Sequence, residues 1–179
     1  MTDQRETGKS VEVRRARPEE HAHAGRIAAD GYAADGLLTR ADGSIDADYR
    51  SMLLDAGQRA GQAELLVALV GDVVVGTATW CPIGSPWRQV AQRDHQGEFR
   101  MLAVAPAGRG RGVGRALVEA CLDRARTAGM TEVVLSSLPE MTTAHRLYRS
   151  LGFTRSPELD FSAGPLVHLW GFRRLVDVG

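Results

Sequence analysis

A chain of 179 residues with 44% apolar and 25% charged content has room for one domain with a substantial core. Its 22 basic and 22 acidic residues cancel, which argues against bulk electrostatic binding to nucleic acid or an anionic membrane surface. Cys81 and Cys121 give neither a disulfide framework nor metal-ligand spacing, no apolar run approaches a membrane span, and Met1 to Ser10 lacks the apolar segment of a signal peptide, so the cytoplasm is the expected compartment.

Residues 1–10 read as a disordered leader, and residues 11–179 as a single domain. Val11 to Ala16 alternates apolar and polar, as a half-buried strand does. Pro18-Glu-Glu20 signals a helix start, and that helix is expected to reach about Tyr32. A loop over Gly36 to Asp46 follows, and Asp46 is placed to cap a second helix running to about Ala60. Glu64 to Val70, Gly71-Asp72 and Val73 to Trp80 form a hairpin pattern. Cys81 to Gln96 reads as a proline-interrupted surface loop, and Glu98 to Ala105 as a strand. Gly112 to Ala128 has helical apolar spacing and stops at Gly129. Glu132 to Ser137 is a strand, Thr142 to Ser150 a short helix ending at Gly152, and two closing strands begin at Phe153 and Pro165. This order predicts an α/β fold with a mixed sheet and one central βαβ crossover.

The segment Arg109-Gly-Arg-Gly-Val-Gly114 lies where the strand turns into the helix. The first amides of a helix lack intrahelical partners, and the helix dipole makes that end attractive to phosphate. Arg109, Arg111 and Arg115 add positive charge. The glycine spacing excludes two phosphate loops. No register of Gly108, Gly110, Gly112 and Gly114 gives G-x-G-x-x-G, and Gly8-Lys9-Ser10 lacks the first glycine of a P-loop, because Asp3 stands there.

The form [Q/R]-x-x-G-x-[G/A] does fit, and in it the sequence resembles the GNAT superfamily of acyl-CoA-dependent N-acetyltransferases. A second signature of that family, roughly A-x-x-L-Y-x-x-x-G-F, is similar to Ala144-His-Arg-Leu-Tyr148-Arg-Ser-Leu-Gly152-Phe153. Together the two cover about half the chain. The resemblance implies a single-domain GNAT-like fold, with a mostly antiparallel twisted sheet of six to seven strands, about four helices and a splayed central βαβ unit. It implies acetyl-CoA as co-substrate, no metal, and acetyl transfer to a primary amine by direct attack in a ternary complex. Backbone groups of Leu102, Ala103 and Val104 would meet the pantetheine arm. The amides of Arg109, Gly110, Arg111, Gly112, Val113 and Gly114, with Arg115, would hold the diphosphate. Glu98 takes the place of the base, with Phe99 and Met101 partly desolvating it, and Tyr148 that of the acid. Met141 stands where many members carry a cofactor-contacting asparagine, which makes Thr142 or Thr143 its substitutes. The competing reading is a noncatalytic acyl-CoA-binding sensor or regulatory module.

For the acceptor, a small-molecule or peptide amine, the family's geometry points to residues 32–48, 80–95 and 160–168. Asp35, Asp42, Asp46 and Asp48 with Trp80 and Trp87 would make an acidic, aromatic-edged cleft suited to a cation, unless the acidic loops are merely solvated. A second copy of the chain is a candidate partner; nucleic acid and membrane are not expected. His21 and His23, two residues apart, share no helix face and make a poor metal pair, and His145 reads as a surface residue near Tyr148.

Overall fold

The computed structural model describes residues 10–164 and 167–177; the predicted leader lies almost entirely outside them. One eight-stranded sheet forms the centre, with strand order β1-β2-β3-β4-β5-β8-β6 and the short β7 paired to β8. In chain order these are β1 (Val11–Arg15), β2 (Glu64–Val70), β3 (Val73–Cys81), β4 (Gln96–Val104), β5 (Glu132–Ser137), β6 (Thr154–Arg155), β7 (Phe161–Ser162) and β8 (His168–Leu175). Five helices flank it: α1 (His21–Ala34), α2 (Ala47–Leu54), α3 (Ala56–Gln62), α4 (Val113–Thr127) and α5 (Thr142–Ser150). This is the expected GNAT-like α/β architecture, with one strand and one helix more than the pattern suggested.

The extra helix has a local cause. The predicted helix from Asp46 to Ala60 is broken at Asp55, whose backbone leaves the helical region at φ −79°, ψ 63°. Asp46 and Asp55 each accept a hydrogen bond from the amide three residues on, Tyr49 and Gln58, so one capped helix ends where the next begins. The extra strand is β7, two residues too short for any alternation to show.

One face of the sheet carries α4 and α5 over a core that includes Trp80, Phe99, Leu117, Tyr148, Phe153 and Phe172. The other face is covered by α1 to α3, with Ile27, Leu53, Leu65 and Met101 in its cores. Every neighbouring pair in the main sheet is antiparallel except β4 and β5. These two parallel strands pair only over Gln96↔Glu132, Gly97↔Val133 and Glu98↔Val134. Beyond Glu98 they diverge, β4 running on to Val104 and β5 to Ser137. A register shift against β3 falls in the same stretch, between the Thr79↔Arg100 and Thr77↔Ala103 pairs. Met101 there has φ +52°, the one positive φ outside glycine among the described residues. The bulge twists β4 away from β5 and opens the splay anticipated from the family resemblance.

Candidate active site

A cleft of about 690 Å³ fills the splay. Its walls include Leu102, Ala103 and Val104 from β4, Gly31 and Tyr32 from α1, the turn from Gly108 to Arg115, and Met141 to Ala144 with Leu147 of α5. Nine of the ten residues expected to hold a cofactor line it. Arg111 does not; it is exposed beside the turn.

The turn shows why glycine is needed. Gly110 and Gly112 sit at φ +71° and +77°, in the left-handed region, and Gly112 is the residue from which α4 departs. The open N-terminus of α4 therefore faces the cleft, as an anion-binding end requires. Gly114 lets α5 approach: a Cβ there would lie 3.1 Å from Leu147 Cδ2. Arg115 reaches Ser150 Oγ at 3.0 Å and so also ties α4 to α5. On β4, Ala105 donates its amide to Val75 of β3 at 2.8 Å. Amides alternate between strand edges, so the Val104 N–H faces the open side of the splay.

Met141, Thr142 and Thr143 all line the cleft, so the side chain in the asparagine position still faces it. Its thioether also lies 3.4 Å from Ser137 Oγ.

Glu98 and Tyr148 sit behind the walls, on opposite faces of the sheet. Tyr148, on α5, is 4% exposed, with its ring about 6 Å from Phe99, Phe153 and Phe172. Burial pushes its phenol well above the ordinary value. Glu98 is wholly buried. Its Oε2 accepts the amides of Gln89, Val90 and Ala91 at 2.8, 3.0 and 2.9 Å, while Oε1 has no hydrogen-bond partner. Burial raises its pKa even against the lowering effect of those three amides. The desolvation comes from the 89–91 loop folded over it, not from Phe99, which points to the opposite face.

Two expectations fail on the acceptor side. Trp80 is buried in the α4 core and edges no cleft. The acidic loop residues mostly serve local structure: Asp46 caps α2 and pairs with Arg40, Asp42 binds Ser44, and only Asp35 of the four lines the cleft. His145 is also not on the surface. It is 2% exposed, bonded to Ser137 Oγ at 3.0 Å and stacked on Trp170. Sequence reasoning passed over Arg59 and Arg100, which lie on this side; a lone arginine in a helical segment carries no signal of burial.

The profile of the "Acetyltransferase (GNAT) family" matches residues 35–153. The chain belongs to the GNAT family of acetyltransferases. It is 35% identical over 112 residues to human N-acetyltransferase 8B, covering 63% of this chain and 44% of that protein. It is 36% identical over 77 residues to the mycothiol acetyltransferase of Renibacterium salmoninarum, covering 41% and 23%. The chain thus spans less than half the length of these two GNAT relatives. Among solved structures, an acetyltransferase from Salmonella typhimurium with acetyl-CoA bound superposes with a TM-score of 0.63 at 23% identity, over 94% of this chain and 95% of that one.

Proposed function

We propose that this GNAT chain transfers an acetyl group from acetyl-CoA to a primary amine, by direct attack within a ternary complex. The observation that carries the reading is the cleft itself: a strand opened by a bulge, the Val104 N–H facing the opening, and the glycine turn of α4 at its end. In this reading the backbone of Leu102 to Val104 holds the pantetheine arm. The amides from Arg109 to Gly114, with Arg115, hold the diphosphate. Arg111 contributes its amide and a nearby charge.

The chemistry follows from what each group can do. Glu98, directly or through water, removes the proton that an ammonium acceptor must lose. The freed nitrogen lone pair attacks the thioester carbonyl, whose oxygen the Val104 N–H stabilises as it gains charge. The C–S bond then breaks, and Tyr148 protonates the departing thiolate, giving an amide and free CoA thiol. No step of this scheme calls for a metal. The two buried free cysteines suit a reducing compartment, which supports the cytoplasm. Among the described residues no helix is long and apolar enough to cross a membrane.

Acetyl-CoA is expected to raise the melting temperature, and thiol release across a broad amine panel is expected to reveal turnover. Stabilisation without turnover of any amine would make the chain the noncatalytic acyl-CoA sensor instead.

Gly112→Ala tests the cradle. An alanine at φ +77° costs about 1–2 kcal/mol and shifts the amides that face the diphosphate. The expected result is a KM for acetyl-CoA raised roughly tenfold with kcat nearly kept, as loss of uniform binding predicts. An unchanged KM would remove the turn from the cofactor site.

A further inference from the structure

Helix α1 carries two interior glycines, Gly25 and Gly31, and packing accounts for only one of them. A glycine inside a helix is unfavourable relative to alanine, because its backbone gives up more freedom on folding. At Gly25 the fold demands it: a Cβ there would run into the carbonyl oxygen of Leu54 on α2. At Gly31 the fold makes no such demand. The backbone is ordinary helix, without a positive φ. The nearest atom that a Cβ would meet is Ala103 Cβ, at 3.4 Å, an ordinary van der Waals contact. An alanine would fit and would strengthen the helix, so neither packing nor backbone conformation explains Gly31.

Its place in the cleft does. Gly31 is half-buried and lines the cleft across from Ala103. Side chains alternate along β4: Leu102 and Val104 pack toward α4 and α5, whereas Met101 and Ala103 pack with Ile27 and Leu38 on the α1 face. The glycine turn opens into α4, whose Val113 and Leu117 belong to the first face. The cleft therefore runs from that turn, through the splay, to a recess between Gly31 and Ala103 on the other face. Tyr32, Leu37 and Leu102 continue its lining, and the Tyr32 ring packs edge-on against Tyr49 at 5.9 Å. Asp35, just past the end of α1, is exposed and marks the rim.

We propose that the recess between Gly31 and Ala103 receives the hydrocarbon tail of an acyl group longer than acetyl, so that the donors of this chain extend to propionyl- and butyryl-CoA, with Gly31 setting the limit. The proposal rests on the acyl-transfer reading above and widens its donor. An acyl tail matches this lining, because it brings apolar surface and no group that needs a hydrogen bond. An amine acceptor matches it poorly: it arrives as an ammonium, and its charge is better accommodated at the exposed rim beside Asp35. The chemistry is unchanged. The same C–S bond breaks, the same C–N bond forms, the acceptor proton and CoA thiol leave as before, and only the alkyl tail differs.

The test measures, by calorimetry, the binding of CoA, acetyl-CoA, propionyl-CoA and butyryl-CoA to the wild-type chain and to Gly31→Ala, and follows thiol release from each thioester across the amine panel. In the wild type, affinity is expected to rise roughly fourfold for each methylene beyond acetyl, as burial of a methylene implies. In Gly31→Ala the butyryl-to-acetyl ratio is expected to fall roughly tenfold, in affinity and in kcat/KM alike. Its melting temperature is expected to rise by about 2–4 °C, as a helical glycine-to-alanine change implies. A purely structural role for Gly31 would move stability and leave the donor ratio alone. Butyryl-CoA bound roughly tenfold more weakly than acetyl-CoA by the wild type, or an unchanged ratio in Gly31→Ala, would overturn the proposal and leave acetyl transfer standing. If the thioesters bind but no amine reacts, the transfer reading falls, and the affinity ratios still decide this one. If neither CoA nor any thioester binds, both fall.

Discussion

Replacing Tyr148 by phenylalanine is expected to lower kcat about 100-fold or more while leaving the fold and the KM for acetyl-CoA nearly unchanged. The substitution removes one oxygen. The ring contacts with Phe99, Phe153 and Phe172 stay, so a stability change cannot account for the loss. A phenol raised by burial is a weaker acid than a free one, which at first counts against proton donation. The thiolate it would serve is released between the β4 and α5 walls of the cleft, where lost hydration raises its proton affinity as well and offsets part of that handicap. Steady-state kinetics with a thermal melt would settle the point: a phenylalanine variant with wild-type kcat would remove Tyr148 from the chemistry and leave it a core residue.

Glu98 supports a sharper comparison, because it both anchors a loop and stands in the position of the base. Glu98→Gln keeps an oxygen that can accept the amides of Gln89, Val90 and Ala91, but no longer accepts a proton. We expect the glutamine variant to fold and to lose about 100-fold or more in kcat. Glu98→Ala strands the buried amides of Val90 and Ala91, at about 1–3 kcal/mol each, along with the half-buried amide of Gln89, and should lower the melting temperature markedly. The pH profile gives the signature of charge. A base must be deprotonated, so the rate falls as pH drops through the pKa of Glu98, which burial has raised above the ordinary carboxylate range. The glutamine variant should lose that acidic limb. The linkage runs the other way for stability: a raised carboxyl stabilises the fold below the ordinary glutamate pKa, and that contribution is lost as pH rises through the raised value. Full activity in Glu98→Gln, with only Glu98→Ala impaired, would reduce the residue to a loop anchor.

Much of the cleft wall was legible in the residues because its determinants are local. Alternating glycines at a strand-to-helix turn require positive φ, and Gly110 and Gly112 have it. Tyr148 and Gly152 lie on one short helix and its stop, where spacing alone fixes their relation. The opposite face was harder to read because its contacts are distant in sequence or hang on a local break. Arg59 is enclosed only because the α2–α3 break at Asp55 lets its guanidinium reach the carbonyls of Met52 and Leu53, and Arg100 reaches Trp87 O only through the fold of the 82–95 loop. The acidic loop residues drew attention by composition, yet most of them cap or pair within a few positions of themselves. The burial of His145 was hidden in the same way, since its partners Ser137 and Trp170 lie on two other strands.

The seam between β4 and β5 has a mechanical consequence. Three register pairs join the strand set β1 to β4 to the set containing β5, β8, β6 and β7. A buried bond from Gln96 Nε2 to Glu132 Oε2 at 2.7 Å and two amides donated to His95 O reinforce one end of it. Toward the other end no strand pairing joins them among the described residues, and side chains alone bridge the halves, Ser136 to Gln89 and Arg115 to Ser150. A molecule lying in the opening touches both halves at the end where they hold each other least, and so completes the sheet as a missing strand would. Occupancy then sets how tightly the two halves move together. On the proposed function, the fold is expected to be least cooperative when empty and stiffest when both reactants lie between its leaves.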